Sequence, residues 1–262
     1  MEVAFNAIGL NISNENAYSN IAAEADRQGE SSVLLRKSGT LRGRCWKLGA
    51  GLEVWSVLYE SASGEIRRND CRPAFRARRA HKINPWLLSE SAEQGEAVIH
   101  GFIENTDSEV LFELQNLTEI GAGIFQEKAL QVGLCGLAYR AGVFQTEQAP
   151  FWRSYDEITL NVIANERDWS LCGRVIAFDA LRNPFSGEAL YWIYLDLGEF
   201  NLEILVNQSG LAAGNELKIG AYVKADVWLQ GHILKQTKRF AYEGPDRRFQ
   251  TVDFWKKFKR EN

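Results

Sequence analysis

The sequence predicts a mostly-β protein, built as two small antiparallel, barrel-like modules in tandem with a few short helices. Three observations carry this expectation. Apolar runs are short and are bounded by Gly, Asn or Pro turns. The chain holds 22 Gly beside only 5 Pro, and the Gly fall between those runs. An apolar–x–Gly–x–β-branched phrase also occurs twice, at Ile99–Ile103 and Leu171–Val175, each followed by a second landmark, Leu130–Gly133 and Leu217–Gly220. Two landmarks in the same order suggest two copies of one β unit.

Helical signals are few. Tyr18, Ile21, Ala22 and Ala25 repeat at three-to-four spacing behind a cap at Ser13 or Asn14, which predicts a helix over Asn14–Gln28. Asn84-Pro85 followed by WLLSESAEQ and Gly95 reads as cap, first-turn proline, helix and stop. A third helix is expected at Val252–Arg260. Between the first two, SSVLLRK, TLRGRCWKL and LEVWSVLYE form a meander in which Arg42 and Arg44 share a face. EAVIHGFI, VLFELQNL and LQVGLCGLAYRAGVF follow as further strands.

Ala149-Pro150-Phe151 breaks the series and divides the chain into a β-rich domain 1–150, a module 151–234 and a basic aromatic tail 235–262. The module contains four strand-like runs, Leu171–Phe178, Ala189–Leu197, Leu202–Val206 and Ala221–Leu229. The connection between the last two is too short for a crossover helix, so the sheet should be antiparallel. A curled sheet of this size closes most readily as a five-stranded OB-type barrel, with a fifth strand from His232–Leu234 or Ile158–Ile163. The Asn183-Pro184 turn, the Gly187 return, Ile219-Gly220-Ala221-Tyr222-Val223 and Trp228-Leu229-Gln230-Gly231 resemble an OB-like domain of uncharacterised bacterial proteins. That resemblance spans Leu171–Gly231 and implies a fold and no assigned activity.

Charge is segregated along the chain. Arg36–Lys82 holds 12 Lys/Arg against 4 Asp/Glu; Ile83–Glu127 holds 9 Asp/Glu and no Lys or Arg. The tail carries 9 basic and 4 acidic residues, within a net charge of −4. Blocks of opposite sign in one chain tend to meet. The densest basic stretch, with Arg67, Arg68, Arg72, Arg76, Arg78 and Arg79, is therefore a candidate binding segment. It suits carboxylate pairing within the fold or between subunits, and it also suits phosphate binding.

On the OB-like sheet, Trp192 and Tyr194 share one strand face, and Tyr222, Lys224 and Trp228 share another. Such aromatics can stack on bases. The module from Glu157 to Leu234 carries 10 Asp/Glu against 5 Lys/Arg, however, which opposes a phosphate backbone and favours packing or a protein interface.

No catalytic signature is present. The three His, at 81, 100 and 232, have no metal-ligand spacing, and the four Cys form no C-x-x-C pair. Gly49-Ala50-Gly51 and Gly121-Ala122-Gly123 lack the rest of a dinucleotide site. No catalytic residue, metal or cofactor is therefore assigned. The N-terminus has no signal-peptide pattern, and no apolar run reaches the ~18 residues of a spanning helix. The expectation is a cytoplasmic, non-enzymatic protein that binds a protein partner or itself as an adaptor, assembly or structural component. The alternatives are a single-stranded nucleic-acid binder, or an enzyme whose site sequence does not reveal.

Overall fold

In the computed structural model the described residues are all except 1, 37–38, 92–94, 121–123, 125–126, 155–167, 213–214, 235–248 and 252–262. Helix α1 spans Glu2–Ala7 and α2 spans Glu15–Gln28. As expected, Asn14 caps α2: its side-chain oxygen accepts the Ala17 N–H at 2.9 Å. Four strands then make an antiparallel meander, β1 (Glu30–Arg36), β2 (Gly39–Gly49), β3 (Leu52–Ser61) and β4 (Ile66–Phe75).

The second sheet begins with β5 (His81–Ser91), where a helix is expected from Asn84-Pro85. Pairing with distant residues overrides the local helix signal. Pro85 sits at a bulge opposite β6 (Glu96–Ile103), where a residue without an N–H costs the ladder little. The sheet continues with β7 (Glu109–Leu114), β8 (Leu130–Phe144), β9 (Phe151–Ser154), β10 (Asp168–Arg182), β11 (Ala189–Asp196), β12 (Asn201–Asn207) and β13 (Tyr222–Ile233). A short β14 (Phe249–Thr251) lies parallel to β5. The expected helix at Val252–Arg260 falls outside the described residues.

Pairing in this sheet closes two rings. The first runs β5–β6–β7–β13–β8 and returns to β5. The second runs β10–β11–β12–β8–β13 and returns to β10. Both rings are antiparallel except at one junction each, β7–β13 and β12–β8. Strands β8 and β13 belong to both rings and pair with each other from Tyr222–Phe144 to Ile233–Val132. Thus β8, which precedes the Ala149-Pro150-Phe151 break, completes the second ring; His232 and Ile233 extend β13, and Ile158–Ile163 lie outside the described residues.

The two rings share one strand order, but the repeated phrases do not mark it. Gly101 lies in the second strand of its ring and Gly173 in the first strand of its own. Leu130–Gly133 opens β8, whereas Leu217–Gly220 precedes β13.

Side chains alternate across every strand, so one face of each ring strand fills the interior. Ile99, Phe112, Val132, Ile193, Ile204 and Val227 belong to this continuous core. Two glycines allow close approaches between ring strands: a Cβ at Gly133 would stand 2.4 Å from the His232 ring, and one at Gly231 would stand 2.5 Å from Phe112. A second core lies between the meander, the helices and the outer faces of the shared strands. Phe5, Ile8, Leu52, Trp192, Leu205 and Trp228 meet there. All four cysteines are buried and free. No described helix is long and apolar enough to cross a membrane.

Candidate functional site

The arginine segment runs along β4 and into β5, and the fold answers it with carboxylates. Arg68 pairs with Asp26 on α2, and Arg67 lies over the Tyr59 ring at 5.2 Å. Arg72 is fully buried between Asp70 at 3.0 Å and Glu113 of β7 at 2.9 Å. Arg76 reaches Glu53 at 2.8 Å and Glu119 at 3.6 Å. Glu113 and Glu119 both belong to the acid-only segment, so the two charge blocks do meet inside the fold. An arginine placed among carboxylates has little positive field left for phosphate.

The remaining two arginines meet the aromatics of β11. Glu203, fully buried on β12, accepts the backbone N–H of Arg78 at 2.9 Å, that of Arg79, and the Trp192 Nε1–H at 2.6 Å. This clamp lays the Arg78 guanidinium 4.3 Å over Trp192 and the Arg79 guanidinium 5.7 Å over Tyr194. Arg78 also pairs with Asp179 at 3.1 Å. Four of the sequence candidates therefore form one cluster, in which each ring that could stack on a base already faces a guanidinium of its own chain. Trp228 shares the second core with Trp192, and its Nε1 is buried without a hydrogen-bond partner among the described residues. Tyr222 and Lys224 sit toward the N-terminal end of β13, where Lys224 lies 4.9 Å from the Phe144 ring.

Asn116 and His232 are buried polar residues at the end of β13. The Asn116 amide spans the end of β13, donating to the Ile233 carbonyl at 2.9 Å and accepting the Ile233 N–H at 2.9 Å. Burial, aided by the Arg76 charge, pushes the His232 imidazole down to about 4. Its folded value lies below the ordinary 6.5, so the stability it contributes is present above pH 6.5 and is lost as pH falls toward 4. Protonation across that window should cost roughly 3 kcal/mol. Urea unfolding of the wild type and of His232→Gln from pH 7 to 4 should show the wild type losing more; parallel curves would refute the assignment. His81 and His100 are lowered in the same sense, and burial raises Glu90 in the opposite one, which is why the variant is the reference.

One aromatic face stays open. On the outside of the first ring, Trp86 and His100 place their rings 4.3 Å apart, and Phe102 stands two residues further along β6. Trp86 is 49% exposed and Phe102 is 40% exposed. His100 Nε2 lies 2.8 Å from the Glu109 carboxylate. Burial lowers the His100 imidazole, with Glu109 pulling the other way. Glu199 joins this rim through a 2.6 Å hydrogen bond from Ser108. Next to it, Trp152 stacks on Trp169 at 4.1 Å, and both indoles donate to β7 carbonyls, at Glu109 and Leu111. Reading β5 as a helix conceals this face, because a helical period scatters Trp86 away from the β6 side chains.

Among the described residues no group of three His, Cys, Asp or Glu is placed to hold a metal ion. No family model matches the chain, and no curated protein or solved structure matches it significantly.

Proposed function

We propose that this is a non-enzymatic binding protein whose docking face is the Trp86–His100–Phe102 surface of the first ring, and whose partner presents a basic segment. The observation that carries the reading is a contrast between two aromatic faces. Trp192 and Tyr194 are covered by Arg78 and Arg79, whereas Trp86 and Phe102 are exposed beside Glu109 and Glu199. Exposed aromatics are enriched at protein interfaces, and carboxylates around them favour Lys or Arg from the partner. We also read each ring as an OB-type barrel, since its five strands enclose one apolar core. That reading supports an outer sheet face as the binding surface.

A single-stranded nucleic-acid function is the second reading. It requires phosphates to approach Glu109 and Glu199, or the Arg78 and Arg79 side chains to leave their rings, and both requirements weigh against it. The test is fluorescence anisotropy at physiological salt with a labelled Lys/Arg-rich aromatic peptide and, separately, a labelled single-stranded oligonucleotide. The peptide should bind, and Trp86→Ala with Phe102→Ala should weaken it by about tenfold or more without unfolding the protein. Absence of peptide binding would sink the proposal. Submicromolar oligonucleotide binding, lost in Trp192→Ala with Tyr194→Ala, would install the nucleic-acid function instead.

A further inference from the structure

The mouth of the second ring carries a separate concavity. Strand β10 pairs with β13 only as far as Arg174, while its pairing with β11 continues to Arg182. The β10–β11 hairpin therefore projects beyond the ring and turns Phe178 and Tyr191 inward, on the face that bears Ile193. The connection from β12 to β13 passes opposite this face. It is fastened to β8 by the Ala212 N–H to the Ala141 carbonyl at 2.8 Å, and by the Asn215 amide to the Val143 carbonyl at 2.7 Å. Between hairpin and connection lies a cavity of about 390 Å³. That volume falls in the range of small-molecule pockets, roughly 300–1,000 Å³, and barrel mouths are one of their usual places.

The lining has a definite chemistry. Phe178, Tyr191, Leu211 and Leu217 supply apolar and aromatic walls, and Gln208 and Glu216 supply polar groups. Phe178 keeps 39% of its surface exposed, an unusual state for a side chain on the core-facing side of a strand. The side chains of Tyr191, Gln208 and Glu216 have no partner among the described residues. Glu216 is the one charged residue in the lining, so the cavity favours positive charge, which two aromatic faces also attract.

The geometry points to a binding site for a small organic cation, an amine carrying an aromatic or aliphatic body, at the mouth of the second ring. The body lies against Phe178, Tyr191, Leu211 and Leu217, and the ammonium faces Glu216. The fastened connection holds these walls in place before a ligand arrives, which lowers the cost of ordering on binding.

Phenethylamine and phenylacetate, equal in body and opposite in charge, are the probes. Each is titrated at neutral pH into the full isotope-labelled chain and followed by amide chemical shifts. Phenethylamine should move the resonances of Phe178, Tyr191, Leu211 and Leu217 at millimolar concentration, and phenylacetate should bind several-fold more weakly. Glu216→Gln, a change at an exposed position, should remove that preference and leave the fold intact. Phe178→Ala should weaken both probes. No shifts with the amine, shifts confined to other parts of the protein, or equal affinities for the two probes would each overturn the site. These outcomes are independent of the Trp86 face, whose resonances should stay unmoved.

Discussion

Cutting the chain within residues 145–150 should leave two fragments that cannot fold alone and that regain structure when mixed. The expectation follows from β8 and β13. Without β13, the first ring opens between β7 and β8; without β8, the second opens between β12 and β13. Leu134, Val227 and Leu229 then lose much of the packing that buries them. Each ring interior would meet water, at about 25 cal/mol for every Å² of apolar surface exposed, and the second core would itself be cut, since Trp192, Leu205 and Trp228 leave it with the other fragment. Near-ultraviolet circular dichroism and amide exchange of the fragments, alone and as an equimolar mixture, measure this. A cooperative unfolding transition in either isolated fragment would contradict the strand sharing.

The second large effect is expected at Arg72. Its side chain is sealed between Asp70 and Glu113, joining the meander to the first ring. Arg72→Met removes the cation and leaves two buried carboxylates facing each other, which should cost roughly 3–5 kcal/mol. Urea denaturation would register this as a fall in midpoint with little change in slope. Adding Asp70→Asn and Glu113→Gln to the same chain should recover most of the loss, because the uncompensated charges, not the missing packing, cause it. A single-variant cost below about 1 kcal/mol, or no recovery in the triple variant, would show that Arg72 does not hold this junction.

Much of this was legible along the chain. A cap at Ser13 or Asn14 announced α2, and short apolar runs between turns marked β1 to β3, β6 to β8 and β10 to β13, whereas the arginine-rich β4 gave no strand signal. The charge blocks foretold Arg72–Glu113 and Arg76–Glu119, although Asp26, Glu53 and Asp179 come from outside the acid-only run. Asn84-Pro85 misled because a cap signal is local, whereas the pairing of β5 with β6 and β8 is not. The placement of Trp192 and Tyr194 on one face followed from the period of a strand; their cover did not, since Arg78 lies more than a hundred residues upstream. Nothing in composition or period signals that one strand serves two rings, because both of its edges look the same from sequence.

That double service sets an order on synthesis. The segment that becomes β8 leaves the ribosome about ninety residues ahead of β13, and until then neither ring can shut. A nascent chain of this kind carries a long strand with open edges and an apolar face, the condition that invites mispairing between neighbouring chains. Contacts so distant in sequence also slow closure once the chain is free. Protection during that interval, by a holding chaperone or by low local concentration, should therefore govern yield more than final stability does.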